Sequence, residues 1–293
     1  GGELGTSVIK KGSKKGALDP VLEHIFCSFG RELGDLPTIS QVIFNNGLSA
    51  RKSLGQHFLL DGSIIARIVN SAGIDEGVTV LEIGPGPGGL TRALLATPAK
   101  TVVAIERDDR SVEALQDLAS AVCSRFHLIA GDALAIDLDS LCVQPFQIVA
   151  NLPYNIGTRL VLDFLHMLHK PKKMTLMLQK EVAQRMIASP GGKHYGRLSI
   201  IVQWLARARV LFDVPARAFK PEPKVTSSVI EIIPRCLKSE SRSNDILFIK
   251  SCRTKFVKNN SSFCRLNCNC LSWTNCFTQF TCYTSFLTIW ISS

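Results

Sequence analysis

The sequence predicts an α/β fold with a doubly wound, Rossmann-like sheet. Short apolar, β-branched runs alternate with segments of helical periodicity over residues 78–233, which is the pattern of such sheets. A glycine-rich loop joins the first run to a helical segment, and polar or small residues follow the ends of successive runs. Because no apolar run reaches the roughly 18 residues that a spanning helix needs, a membrane protein is not expected.

The elements follow one another in a regular order. A helix is predicted over residues 61–73, because Asp61 can cap it and four aliphatic residues from Ile64 to Val69 fall on one face. Strands are predicted at residues 78–83, 101–105, 126–130, 146–150, 174–178 and 229–233. Further helices are predicted at residues 89–96, 111–119, 158–168, 182–188 and 198–206, and a short one near 36–43.

Four residues stand at the ends of four predicted strands: Gly84, Glu106, Asp132 and Asn151. In open α/β sheets, ligands bind in the crevice outside the carboxyl ends of the strands. We therefore expect these four residues to converge on one binding crevice.

The loop after the first strand matches a nucleoside-binding pattern. Gly84, Gly86 and Gly89 fit G-x-G-x-x-G, a weak signal that gains weight from the strand before it and the helix after it. Glu106 lies at the end of the next strand, where a carboxylate can accept both hydroxyl hydrogens of a ribose. The alternative is an ordinary tight turn with a surface glutamate.

The prolines of this loop favour S-adenosylmethionine over a dinucleotide. A pyrophosphate is held by loop N–H groups, and Pro85 and Pro87 have none. S-adenosylmethionine has no phosphate and carries a sulfonium cation, which suits the acid Glu82 just before the loop. Asp132 can accept a hydrogen bond from an adenine amino group.

The turn Asn151-Leu152-Pro153-Tyr154 suits methyl transfer to an aromatic amine. The Asn151 side-chain carbonyl and the Leu152 backbone carbonyl can accept the two N–H bonds of such an amine and favour its nucleophilic, pyramidal form. Pro153 constrains the turn, and Tyr154 offers a ring on which a base can stack. An Asn-Pro turn with a packed tyrosine is the alternative reading.

Basic residues are concentrated in one part of the chain. The net charge is +10, and residues 170–224 alone hold twelve Lys or Arg against three Asp or Glu. Such an excess indicates a polyanionic partner, although a solvated basic face would give the same count.

Several motifs together resemble the bacterial ribosomal RNA adenine dimethyltransferases, which modify two adjacent adenines near the 3′ end of small-subunit rRNA. The resemblance runs from about Leu36 to Pro234. It is carried by residues 54–61 (LGQHFLLD), 82–89 (EIGPGPGG), Glu106, 131–134 (GDAL), 151–154 (NLPY) and 219–225 (FKPEPKV).

The resemblance implies a class I methyltransferase sheet followed by a small helical region, with S-adenosylmethionine as donor. It implies cofactor contacts at His57, Leu59, Gly84, Glu106, Asp132 and Asn151, although the family more often has Asn at position 57. Phe58 and Phe219 would lie near the target base, unless both simply pack in the core. Lys220 and Lys224 would meet phosphate. We expect a cytoplasmic monomer that acts on the small (30S) ribosomal subunit and requires no metal or membrane.

Three regions are expected along the chain. Residues 1–35 form a poorly ordered extension, and 36–235 form the methyltransferase domain. Residues 236–293 are atypical: they contain seven of the ten cysteines, and the family's motifs are no longer recognisable there. We expect this region to be read out of frame or to follow a disrupted gene. A zinc site and a divergent natural domain are the alternatives.

Other functions fit less well. One is a ribosome-assembly or RNA-binding factor without catalysis, which the intact site motifs argue against. Another is an adenine methylase of large-subunit rRNA. A nicotinamide dehydrogenase would lack an acid/base pair and meets the objection raised by the loop prolines.

Overall fold

The β-branched and aliphatic runs of the sequence form the strands of one large sheet. The computed structural model describes residues 36–141 and 144–235. The strands are β1 (Phe58–Leu59), β2 (Thr79–Ile83), β3 (Thr101–Glu106), β4 (Phe126–Ala130), β5 (Phe146–Asn151), β6 (Met174–Gln179), β7 (Ala206–Val214), β8 (Phe219–Lys220) and β9 (Ser227–Pro234). The α-helices are α1 (Ile39–Asn45), α2 (Gly62–Ala72), α3 (Gly89–Leu95), α4 (Asp109–Ala114), α5 (Gln116–Val122), α6 (Leu138–Leu141), α7 (Gly157–His166), α8 (Lys180–Ile187) and α9 (Arg197–Leu205).

Seven strands form the sheet in the order β4-β3-β2-β5-β6-β9-β7. The strands from β4 to β6 in that order pair in parallel, whereas β9 is antiparallel to both β6 and β7. The winding of the chain reverses between β2 and β5, which are neighbours. A crevice forms at such a switch point, outside the carboxyl ends of the two strands. The predicted doubly wound α/β class is confirmed.

Helices α2 and α3 pack against this sheet through one buried apolar cluster. Ile68 of α2 and Leu94 of α3 belong to the same buried cluster as Val80 of β2 and Val102 of β3. Burying each such side chain stabilises the fold by about 1.5–3 kcal/mol. The cap predicted at Asp61 is confirmed, since its carboxylate accepts the Ser63 and Ile64 backbone N–H groups.

One element prediction was wrong, and strands β1, β7 and β8 and helix α6 were not predicted. The segment predicted as one helix over 111–119 is two helices, α4 and α5, separated by Leu115. Strand β7 was not predicted at all. It lies at the edge of the sheet, with Arg207 and Arg209 exposed between buried or half-buried neighbours. Its sequence is therefore not the continuous apolar run that marks the central strands.

A two-stranded ribbon joins distant parts of the chain beside the main sheet. β1 pairs antiparallel with β8, so that Phe58 lies opposite Lys220 and Leu59 opposite Phe219. Two of the motifs of the predicted family are therefore adjacent in space although about 160 residues separate them in sequence.

The chain divides into two units. Among the described residues, 36–141, 144–187 and 202–235 belong to the first, and 188–201 belong to the second. In the second unit, successive turns link Ser189, Gly192 and Tyr195 by backbone hydrogen bonds. The predicted extension 1–35 and the atypical region 236–293 lie outside the described residues. No helix of the described ranges is long and apolar enough to cross a bilayer.

Candidate active site

A cavity opens at the carboxyl ends of β2 and β5. Its walls come from residues 54–59, 82–87, 89–90, 105–107, 131–133 and 151–156. The cavity is thus lined by all six predicted cofactor contacts, by Phe58 and by the whole 151–154 turn. Phe219, Lys220 and Lys224 are not among the residues that line it.

The glycine loop needs glycine where the backbone turns. Gly84 has φ +68° and Gly88, which precedes α3, has φ +87°, a region that residues with a Cβ rarely adopt. At Gly88 a Cβ would also lie 2.7 Å from the Leu115 side chain. Pro153 packs beside Gly84, so the loop after β2 and the turn after β5 close on each other.

Glu106 is held by backbone N–H groups at the end of β3. Its Oε1 accepts hydrogen bonds of 2.8 Å from both Arg107 and Asp108, and its Oε2 accepts one of 3.0 Å from Gly86. Burial raises the pKa of Glu106, which is 5 % exposed, while these three bonds oppose the rise. A carboxylate has about four acceptor positions, so one remains for a ligand hydroxyl.

Glu82 is a second carboxyl against the same loop, and it lacks a partner at one oxygen. It is 1 % exposed, and its Oε2 makes no hydrogen bond. Burial raises the pKa of Glu82 to about 8; the Thr91 hydroxyl opposes this rise and the Glu106 carboxylate adds to it. Because an unpaired buried acceptor is unfavourable, this side chain suits a ligand that brings a positive charge.

Asp132 faces the cavity beside Arg107. Its Oδ1 accepts the Leu134 backbone N–H at 3.0 Å, and its Oδ2 lies 3.1 Å from the Arg107 guanidinium. Arg107 was not singled out in the sequence, although its position directly after Glu106 places it at the end of β3. Within the described ranges, no group of three or more His, Cys, Asp or Glu side chains is arranged to hold a metal ion.

The side chain of Asn151 is oriented by a backbone carbonyl. Its Nδ2 donates to the His57 carbonyl at 3.2 Å. A carbonyl can only accept, so the amide nitrogen must face it and the amide oxygen must point the other way. Asn151 therefore has an acceptor atom directed away from the His57 carbonyl. Leu152 is buried, and its N–H bonds to the Met177 carbonyl, which anchors the turn to β6.

Tyr154 and His57 form an aromatic pair at the edge of the cavity. Their ring centroids are 5.1 Å apart, with the planes inclined by 31°. The Tyr154 hydroxyl shares a 2.6 Å hydrogen bond with Ser227, and burial raises its pKa. The His57 Nδ1 lies 2.8 Å from the Pro221 carbonyl. The histidine thus contacts the 219–225 loop as well as the cavity.

The residues predicted at the target base differ in their surroundings. Phe58 lies against Gly86 in the cavity wall, but it is only 7 % exposed and packs in a small buried cluster with Val42, Leu48 and Ala114. Phe219 is 1 % exposed and packs in the core cluster. Its ring offers no open face to a base, which favours core packing, the alternative left open by the sequence. Lys220 and Lys224 are exposed near the same loop.

The predicted family resemblance is confirmed by sequence comparison. The family described as ribosomal RNA adenine dimethylase matches residues 47–258, a range that ends 24 residues beyond Pro234. The chain is 52 % identical over 207 residues to ribosomal RNA small subunit methyltransferase A of Azorhizobium caulinodans, covering 69 % of this chain and 71 % of the relative. The corresponding protein of a Chelativorans species is 51 % identical over 205 residues, 68 % of this chain and 74 % of that protein.

Solved structures give the same placement. A dimethyladenosine transferase from Plasmodium falciparum is 28 % identical with a TM-score of 0.61, covering 71 % of this chain and 73 % of the other. The 23S rRNA methyltransferase ErmE is 27 % identical with a TM-score of 0.58, covering 70 % and 81 %. The chain described here belongs to the ribosomal RNA adenine dimethylase family.

Proposed function

We propose that this chain transfers methyl groups from S-adenosylmethionine to N6 of two adjacent adenines near the 3′ end of small-subunit rRNA. The observation that carries the proposal is that a ribose-type carboxylate, Glu106, and an oriented amide, Asn151, line the same cavity. Family membership and relatives named as small-subunit rRNA methyltransferases, at about half identity, support the substrate.

The cavity suits S-adenosylmethionine. The unpaired Oε2 of buried Glu82 matches a cationic ligand, and the prolines of the loop make it a poor phosphate cradle. Glu106 would accept the ribose hydroxyls: one at its free acceptor position, and a second if the Gly86 N–H bond is exchanged. Asp132 would accept the adenine amino group in place of Arg107. Gly84 and the 57–59 segment would form the walls around the cofactor, with His57 and Leu59 in contact with it.

On the acceptor side, the chain binds and orients the adenine amine. When bound, S-adenosylmethionine supplies a methyl group activated by the positive charge on its sulfur. The Asn151 Oδ1 and the Leu152 carbonyl would accept the two N–H bonds and direct the nitrogen lone pair at that methyl carbon. Tyr154 would stack on the base, and Phe58 would contact it only through the part of its ring that lines the cavity. Because the methylated amine loses its proton readily to water, positioning and electrostatics suffice and no strong general base is needed.

The RNA contacts are proposed from charge and exposure. Lys220 and Lys224 are exposed beside the β1–β8 ribbon, where phosphate contacts would position the RNA. The target adenine would leave its stack to enter the cavity. We further propose that the protein acts as a monomer on the 30S subunit in the cytoplasm.

The test is methyl transfer from labelled S-adenosylmethionine to unmethylated small ribosomal subunits, with the modified nucleoside identified by mass. Dimethyladenosine at two adjacent positions supports the proposal. Asn151→Ala is the matched inactive control, since it removes the amide and leaves Glu106 in place.

Three other outcomes would contradict the proposal. Intact cofactor binding without transfer would indicate an RNA-binding or assembly factor. Transfer to large-subunit rRNA alone would indicate the other branch of rRNA methylases. A folded chain that binds no cofactor would overturn the site itself.

A further inference from the structure

A partly buried hydrogen-bonded cluster lies between β3 and the segment that precedes β1, and one of its members, Gln56, also lines the cavity. Its centre is Asp108, which is 2 % exposed. The Gln56 Nε2 donates to the Asp108 Oδ2 at 3.0 Å, and Arg110 bonds both carboxylate oxygens at 3.1 and 2.7 Å. The Gln56 Oε1 accepts the Arg51 N–H at 2.9 Å. One glutamine side chain therefore ties the 51–56 loop to the end of β3.

The cluster contacts both the residue proposed to bind the cofactor ribose, Glu106, and the segment that orients Asn151. On the donor side, the Asp108 N–H bonds to the Glu106 Oε1 at 2.8 Å. On the acceptor side, the residue after Gln56 is His57, whose carbonyl accepts the Asn151 amide at 3.2 Å. The cluster thus connects the predicted ribose carboxylate to the predicted amine acceptor through a single turn of chain.

The position of the His57 carbonyl determines the orientation of the Asn151 amide. The terminal torsion of an asparagine has broad, nearly two-fold minima, so its amide takes whichever orientation its partners impose. Several contacts hold His57 in place. They include the Gln56–Asp108 bond on one side, the 2.8 Å contact between its Nδ1 and the Pro221 carbonyl on the other, and the ring of Tyr154. The Gln56–Asp108 bond is the one that restrains the chain directly before His57.

We infer that Gln56 and Asp108 form a clasp that positions the His57 carbonyl and thereby keeps the Asn151 oxygen directed at the target amine. Neither residue touches the reacting atoms by this account; both are positioning residues. The inference rests on the proposed function, because it concerns the orientation of the amine acceptor in that reaction.

The clasp is tested with Gln56→Met, which keeps the length of the side chain and removes its hydrogen bonds. Gln203→Met is the matched control: the Gln203 Nε2 donates to the Met186 carbonyl at 3.1 Å, and Gln203 does not line the cavity. Gln56→Met loses two side-chain hydrogen bonds, one of them to a carboxylate, and Gln203→Met loses the bond to Met186, so we expect Gln56→Met to be the less stable of the two. Rates are measured on small ribosomal subunits in the full chain, at saturating and limiting S-adenosylmethionine.

We expect kcat of Gln56→Met to fall by about tenfold or more, since small misplacements of catalytic groups have effects of that size. The KM for S-adenosylmethionine should stay close to that of Gln203→Met. Rates are compared well below the melting temperatures of both variants, so that a difference in stability does not enter them.

Different outcomes contradict different claims. A kcat of Gln56→Met equal to that of Gln203→Met overturns the clasp alone. A wild-type chain that binds S-adenosylmethionine but methylates no rRNA overturns the proposed function, and the clasp with it.

Discussion

Binding of S-adenosylmethionine should release a proton from Glu82. Burial raises the pKa of this carboxyl to about 8, so about nine tenths of it is protonated at pH 7 in the free protein. A unit positive charge placed about 5 Å from the carboxylate, at an effective dielectric constant of about 20, would favour the ionised form by about 3 kcal/mol. That energy changes the protonation equilibrium by roughly a few hundredfold. The pKa of Glu82 would then fall well below neutral pH.

The sign of the pH dependence follows from this release. When binding expels a proton, affinity rises with pH, here by about sevenfold between about pH 6.5 and 7.5. The rise should level off above pH 8, where the free carboxyl is already ionised. Below that range the cofactor must compete with the proton on Glu82.

Calorimetry in two buffers of different ionisation enthalpy, such as phosphate and Tris, measures the proton directly. At pH 7 Glu82 should contribute about 0.9 proton released per cofactor bound, so Glu82→Gln should release about 0.9 proton less than the wild type. Glu106 also has a raised pKa, and the variant separates the two carboxyls because Glu106 is untouched. S-adenosylhomocysteine, which lacks the sulfonium charge, should release less. A wild-type binding heat that is the same in both buffers would refute this account of Glu82.

Three further perturbations test other parts of the site. Asn151→Ala should abolish turnover and leave much of the cofactor affinity, and turnover near the wild-type rate would refute its role as amine acceptor. Glu106→Ala should weaken cofactor binding by roughly 1.5–3 kcal/mol, the scale of hydrogen bonds to a charged group, which a calorimetric titration would detect; no loss would count against the ribose assignment. The pKa of Asp108 is lowered to about 2, chiefly by the hydrogen bond from Arg110 and in addition by the Gln56 hydrogen bond and the Arg110 charge. The ionised carboxylate therefore stabilises the fold, and Asp108→Asn should reduce the free energy of unfolding by about 2 kcal/mol at pH 7. This contribution is complete above about pH 5 and is lost as the pH falls towards 2, so urea titrations of the two proteins should converge in acid; an equal gap at pH 7 and pH 2.5 would contradict the ion pair as its source.

The crevice could be predicted from the sequence because local chain chemistry determines it. Gly84, Glu106, Asp132 and Asn151 each stand at a strand end, and parallel strands bring such ends to one edge without any knowledge of side-chain contacts. Strand β7 could not be predicted in this way. An edge strand buries one face only, so the exposed Arg207 and Arg209 interrupt the apolar pattern.

Contacts between distant segments could not be predicted from the local sequence pattern. Gln56 and Asp108 are 52 residues apart, and His57 and Pro221 are 164 apart. Nothing in the local pattern marks either pair. The burial of Phe219 is of the same kind, since its place in the core follows from the pairing of β8 with β1.

The cavity therefore has two kinds of wall. The ends of β2, β3 and β5 are held by the backbone hydrogen bonds of the sheet, and single side-chain changes will move them little. The 54–59 segment lies outside the main sheet and is held by a two-residue ribbon and a few side-chain bonds, among them those of Gln56 and His57. This segment contacts the glycine loop, where Phe58 lies against Gly86, and it also contacts the amide of Asn151. Its position therefore affects both the proposed cofactor site and the proposed site of the target amine. Substitutions that alter catalysis without touching a ligand should therefore concentrate in this segment and in its partners, rather than in the strands that carry the charged groups.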